Sequence, residues 1–263
     1  MHVLALNSSP RGKKGATGRM LTALTTGMAR AGARADVQVE TVDLAGLSIA
    51  PCRACYACWT RTPGVCAVTD DMARVLALYA EADLVVFGTP LYHYTMNATM
   101  KLFLDRTLPL VEPWLCENPH APGVSGHPQR REKPFAALLL SPCGLPEFSH
   151  FESLVHYFRF YAGRNGWNWL GEILRHSAEV LSRPDTAARF GWYFALLEQA
   201  GAEIIAHGGL LPDTAQTLAQ DLFPDGPAAF RERANHYWAV TRKRHGIVDP
   251  IVEPMEPGPG VDF

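Results

Sequence analysis

Asn7-Ser8-Ser9-Pro10-Arg11-Gly12-Lys13-Lys14-Gly15-Ala16-Thr17 lies between the apolar run Val3-Leu4-Ala5-Leu6 and a segment carrying Met20, Leu21, Leu24 and Met28. The run reads as a short buried strand and the spacing as one face of a helix. The loop therefore joins a first strand to a first helix. The leading N–H groups of a helix have no partner inside it, and the helix dipole favours an anion at that end. Ser8, Ser9 and Thr17 add hydroxyl donors, and Arg11 can fork onto two oxyanion oxygens. Gly12 and Gly15 let the backbone bend inward without a Cβ clash. The loop lacks both the spacing of the dinucleotide glycine fingerprint and the Gly-Lys-Ser/Thr ending of a P-loop. A terminal phosphate monoester, as on a mononucleotide cofactor, suits it. The plain alternative is a surface turn whose Ser and Thr cap the helix.

Outward from this loop, strands alternate with helices. Val37, Val39 and Val42 predict a second strand, and Asp70-Asp71 can cap a helix through Met72, Val75, Leu76 and Tyr79. Leu84-Val85-Val86-Phe87 is continuously apolar, the mark of a parallel strand covered on both faces. It leads into the loop Gly88 to Tyr94 and a helix through Met100, Phe103 and Leu104. Residues 108–134, with prolines at 109, 113, 119, 122 and 128, show no period and read as an irregular insertion. Phe135 to Leu140 predicts a fourth strand, ending in Ser141-Pro142-Cys143-Gly144, and Trp167 to Leu174 a weaker fifth. A helix spans Ala187 to Ala206. Two shorter ones and a proline-rich tail from Pro250 follow. The expected organisation is an α/β domain over residues 1–206 and a helical extension over 207–263. Its five-stranded, doubly wound parallel sheet takes the flavodoxin-like order 2-1-3-4-5.

In such a sheet ligands bind beyond the carboxyl ends of the strands, where strand order reverses between strands one and three. The loops there are Asn7–Thr17 and Thr89–Asn97, with Ser141–Gly144 beside them. The first suits a phosphate, the second presents Tyr92, His93 and Tyr94 to a flat ring, and the third offers backbone N–H groups. A ligand with a phosphate at one end and an aromatic system at the other engages all three, and FMN has that shape. His93 can stack on the ring or relay a proton.

The sequence resembles the flavodoxin-like NADPH-dependent FMN reductases over roughly residues 1–206. The resemblance rests on Asn7-Ser8-Ser9-Pro10-Arg11 with Gly15-Ala16-Thr17, Asp70-Asp71-Met72, Gly88-Thr89-Pro90-Leu91-Tyr92 and Lys101 through Asp105-Arg106. It implies that Ser9, Arg11, Ala16 and Thr17 hold the FMN phosphate. Pro90, Leu91, Tyr92 and His93 then line the isoalloxazine, with Ser141 and Gly144 at its edge. Ala16 stands where family members often carry Asn. The implied activity is hydride transfer from NAD(P)H through bound FMN to a flavin, quinone or similar acceptor. No second dinucleotide fingerprint is visible, so NAD(P)H is expected to share one pocket with the acceptor in alternating, ping-pong turnover.

Cys52, Cys55, Cys58 and Cys66 form Cys-x2-Cys-x2-Cys-x7-Cys and look like the cysteine motif of a branch of that family, the iron–sulfur flavoproteins. Four thiolates match a [4Fe-4S] cluster. Zinc usually takes two separated pairs, and reduced, unmetallated thiols are the third reading. With a cluster, the chain is alternatively an electron carrier between protein partners such as a ferredoxin. A flavodoxin-like scaffold without a cofactor is a further alternative. Net charge is −2, with 19% charged and 48% hydrophobic residues, which gives no electrostatic reason to expect nucleic acid or a membrane surface. Met1-His2-Val3 runs directly into the first strand, so a cytoplasmic chain without a signal peptide is expected. Apolar surface beside the ring loop predicts a homodimer or higher homo-oligomer.

Overall fold

The computed structural model describes residues 1–32, 36–131, 134–183 and 186–247; the proline-rich tail lies outside them. In chain order the elements are β1 (His2–Asn7), α1 (Ala16–Gly32), β2 (Gln38–Asp43), α2 (Ala57–Thr60), α3 (Met72–Glu81), β3 (Leu84–Gly88), β4 (Leu91–Tyr92), β5 (Thr95–Met96) and α4 (Ala98–Asp105). There follow β6 (Cys116–Asn118), β7 (Ala121–Gly126), β8 (Ala136–Pro142), α5 (Glu152–Asn165), β9 (Asn168–Arg175), α6 (Ala187–His207), α7 (Pro212–Leu218) and α8 (Gly226–Arg244).

The main sheet has the order β2-β1-β3-β8-β9, parallel throughout, which is the expected order of five strands. Its inner strands are apolar on both sides because both faces are covered. Val3, Ala5, Leu84, Val86, Leu138 and Leu140 face α1 and α6. Leu4, Leu6, Val85, Phe87, Ala137 and Leu139 face α3, α4 and α5. Helices α1 and α6 approach with glycine at the contact. A Cβ on Gly27 would lie 1.8 Å from the Glu198 carbonyl oxygen, and one on Gly201 would lie 2.0 Å from that of Leu24.

One region differs from expectation. Within 108–134 the segment is not irregular throughout: β6 and β7 pair as an antiparallel hairpin. Its strands are short and mostly exposed, so no apolar alternation announces them. The helices after residue 206 pack into the core. Leu218, Leu222, Phe223 and Phe230 are buried in the same cluster as α1 and α6. Arg175, fully buried at the end of β9, donates to the carbonyls of Leu218 and Gln220. The exposed carbonyls at the end of α7 suit this cation because the helix dipole is negative there. Beside it, His176 is buried and its Nε2 lies 2.8 Å from Asp221 Oδ1.

Candidate functional site

Loops leaving β1, β3, β8 and β9 meet at the carboxyl edge of the sheet around an open cavity. Ser9, Arg11, Ala16 and Thr17 line one side, and Pro90, Leu91 and Tyr92 another. Pro142, Cys143, Gly144, Ala178 and Glu179 complete the wall. The expected phosphate and ring loops therefore share one site.

The first loop is built from its own side chains. Asn7 Oδ1 accepts the Ser9 N–H at 3.1 Å, and Asn7 Nδ2 donates to Asp43 Oδ1 at 2.7 Å. Ser8 is spent on structure, its hydroxyl donating to the Gly88 carbonyl at 3.2 Å. A Cβ on Gly18 would lie 2.3 Å from the Gly12 carbonyl oxygen, so the loop can fold over the first turn of α1 only with glycine there. Arg19 N–H donates to the Gly15 carbonyl at 3.0 Å. The N–H groups of Ala16 and Thr17 precede that bond, at the positive end of α1, where both residues line the cavity.

The ring loop is a hairpin of β4 and β5 whose two turn residues, His93 and Tyr94, have φ of 47° and 65°. Two left-handed residues make the turn that matches the twist of paired strands. That geometry carries His93 to an exposed tip, off the cavity wall, and lays Tyr94 against His150 with ring centroids 5.7 Å apart. Tyr92 remains on the wall and is half exposed. Asn97 ties this loop to the phosphate loop. Its Nδ2 donates to the Ser8 carbonyl at 2.6 Å, while its Oδ1 accepts the Met100 N–H and caps α4.

Of the residues expected at the cofactor, Ser9, Arg11, Ala16, Thr17, Pro90, Leu91, Tyr92 and Gly144 come together. His93 and Ser141 do not. Ser141 is fully buried inside β8, behind the wall that Pro142, Cys143 and Gly144 form, and its hydroxyl has no partner among the described residues. Cys143 is buried too. It accepts the Leu145 N–H on sulfur at 3.2 Å, and burial pushes its thiol pKa up.

Glu179 is the participant that sequence reasoning missed. Arg11 Nη1 and Nη2 donate to its two carboxylate oxygens at 2.8 and 3.1 Å, a bidentate pair at the cavity mouth. The carboxylate raises the pKa of the Arg11 guanidinium. Glu179 follows the fifth strand, 168 positions from Arg11, and nothing in its neighbourhood marks it as a site residue.

The cysteine loop forms a second, small cavity whose wall includes Cys52, Cys55, Cys58, Cys66 and Arg106. Cys58 is buried, and its thiol pKa is pushed up first by burial and then by Cys66, with Cys55 and Cys52 adding to it. The four sulfurs therefore share one field. Ala54 and Tyr56 take left-handed φ of 48° and 53°, winding the loop tightly between its cysteines. Among the described residues, no three His, Cys, Asp or Glu side chains converge as a site for a single metal ion. Four thiols on the wall of one pocket are, in type and number, the donor set that an iron–sulfur cluster takes. Arg106 is buried, and its Nε has no partner among the described residues. It is a donor left over on the wall of a cavity lined with sulfur.

A doubly wound sheet with a phosphate loop and an aromatic loop at its switch point defines a flavodoxin-like protein. The chain belongs to the NADPH-dependent FMN reductase family, whose model matches residues 1–163. An iron–sulfur flavoprotein of Methanocaldococcus jannaschii is 31% identical over 110 residues, 42% of this chain and 53% of that protein. The chain spans about half the length of the curated relatives it matches. Among solved structures, an FMN-dependent NADH-azoreductase from Bacillus anthracis in complex with FMN aligns with a TM-score of 0.57 at 12% identity. That alignment covers 78% of this chain and 99% of the other. An NAD(P)H:quinone oxidoreductase from Methanothermobacter marburgensis gives 0.54 at 18% identity, covering 78% and 96%. These structures share the fold. No helix among the described residues is long and apolar enough to cross a membrane.

Proposed function

We propose that the chain is an FMN-dependent NAD(P)H oxidoreductase with a small-molecule acceptor, a flavin, a quinone or a similar compound. The observation that carries this reading is the single cavity joining Ser9, Arg11, Ala16 and Thr17 to Pro90, Leu91 and Tyr92. FMN, when bound, supplies a centre that accepts hydride and passes electrons on. The chain's own residues bind and orient. The Arg11 guanidinium, the Ser9 and Thr17 hydroxyls and the first N–H groups of α1 hold the phosphate. Tyr92 and the Pro90-Leu91 backbone support one face of the ring. A Cβ on Gly144 would meet nothing within 4 Å, so the wall is open at that edge. Nicotinamide and acceptor take turns there.

Steady-state rates at several acceptor concentrations should give parallel double-reciprocal lines; intersecting lines would refute the shared pocket. Protein that is colourless and fails to bind added FMN would overturn the flavin reading itself. Tyr92 and Tyr94 of the ring loop are exposed, and this apolar surface supports a homodimer, which a monomer in sedimentation would exclude.

The cysteine cavity favours a second reading. Cys52, Cys55, Cys58 and Cys66 would hold a [4Fe-4S] cluster, which supplies one-electron chemistry, and the chain would then carry electrons between protein partners. Rapid reduction by a ferredoxin with slow NAD(P)H oxidation supports this reading. Protein purified anaerobically without iron or sulfide rules it out.

A further inference from the structure

The connection that carries the cysteines is closed at its neck by one side chain. Arg106 follows the last turn of α4 and is 1% exposed. Its Nη1 donates to the Ala50 carbonyl and to Asp70 Oδ2, both at 2.7 Å. Its Nη2 donates to Asp70 Oδ1 at 3.0 Å and reaches the Val68 carbonyl at 3.4 Å. Ala50 stands two residues before Cys52 and Val68 two residues after Cys66. Asp70 accepts the Ala50 N–H at 2.9 Å and the Met72 N–H at 3.1 Å. Both feet of the loop are thus fastened to a single buried Arg–Asp pair.

The pair leaves one donor over. The terminal nitrogens are turned to the neck, while Nε is buried without a partner among the described residues, on a side chain that lines the cysteine cavity. Cys66 helps to hold the guanidinium in its charged form, by its charge and as a hydrogen-bond acceptor, so sulfur already lies beside the group although Nε itself has no well-directed partner among the described residues. A buried N–H with no acceptor is unfavourable. That penalty disappears if a thiolate, or a sulfide bound among the thiolates, accepts it.

We propose that Arg106 is the positioning residue of the cysteine pocket: its Nη groups clamp the loop so that four thiols share one cavity, and its Nε–H and charge act on the sulfur held there. The proposal rests on the iron–sulfur reading. Hydrogen bonds to cluster sulfurs and nearby positive charge both set the reduction potential of a cluster. Arg106 therefore raises it.

The test uses full-length protein purified anaerobically and supplied with ferrous iron and sulfide. Iron, sulfide and FMN are counted, and the cluster potential is measured by a titration followed by electron paramagnetic resonance. Wild type should hold a cluster. R106K, which keeps the charge and loses Nε–H and the fork, should bind FMN like wild type and show a lower potential or faster loss of iron. The R106M/D70N double variant leaves no unpaired buried charge and should show a larger shift in the same direction. It also serves if R106K does not fold. Wild type without iron or sulfide overturns the iron–sulfur reading and the proposal with it. Wild type with a cluster, and variants with unchanged potential and iron retention, overturn the role of Arg106 alone.

Discussion

Replacing Arg11 with alanine separates phosphate recognition from ring recognition. Arg11 and Glu179 are 52% and 61% exposed, and their bidentate contact spans 2.8 and 3.1 Å. An ion pair so open to water contributes about 0–1 kcal/mol. A guanidinium fork on a phosphate contributes more, about 1.5–3 kcal/mol, because both partners are charged. FMN must draw Arg11 away from Glu179, so the net effect of Arg11 is the difference, about 1–2 kcal/mol. R11A should raise the Kd for FMN roughly 5- to 30-fold at about 1.4 kcal/mol per decade. Riboflavin has no phosphate, and its Kd should not move. E179Q should act in the opposite sense, tightening FMN by up to about fivefold and again leaving riboflavin alone. Quenching of flavin fluorescence, titrated at low ionic strength, reads the six constants of wild type and the two variants. If R11A weakens riboflavin as much as FMN, or leaves FMN unchanged, the phosphate does not sit on this loop.

Y92A should weaken FMN and riboflavin alike, by about 0.5–1.5 kcal/mol if the ring packs against tyrosine, in the same titration. G201A should lower the urea midpoint by an amount equivalent to at least about 1–3 kcal/mol, because its Cβ would lie 2.0 Å from a backbone oxygen of α1 and the helices must part. Burial, and then the Arg175 charge, hold the His176 pKa below its ordinary 6.5. Its neutral form therefore adds stability that is complete above 6.5 and lost as pH falls through the folded value. Protection factors of the amides in residues 212–244, which allow for the intrinsic slowing of exchange toward acid pH, should fall as pH is lowered from 7 to 5, and unchanged protection would contradict this.

The parallel sheet was readable because each inner strand is a continuous apolar run, which only a strand covered on both faces tolerates. The same holds for most of the cavity: Ser9, Arg11, Thr17 and Tyr92 lie in loops whose position follows from strand order. Other residues depend on contacts distant in sequence. Lys101, Asp105 and Arg106 look alike as charges on a helix. Lys101 and Asp105 do pair on the surface at 2.5 Å, one helical turn apart. Arg106, one residue further, is buried against a carboxylate 36 positions away. His93 was placed on the ring by its neighbours Leu91 and Tyr92, but a two-residue turn reverses the chain there and points it outward. Glu179 has no signal beyond following a weak strand.

The five residues from Arg175 to Glu179 have obligations in two directions. Arg175 and His176 grip the last helices, while Ala178 and Glu179 stand on the wall of the cavity at the carboxyl edge of the sheet. Cutting the chain at residue 206 would strip a buried guanidinium of its carbonyl acceptors and open the core around Phe190 and Ile204. A shortened protein of that kind is not a minimal reductase with an ornament removed. Its cofactor pocket would have lost the anchorage of one of its four walls.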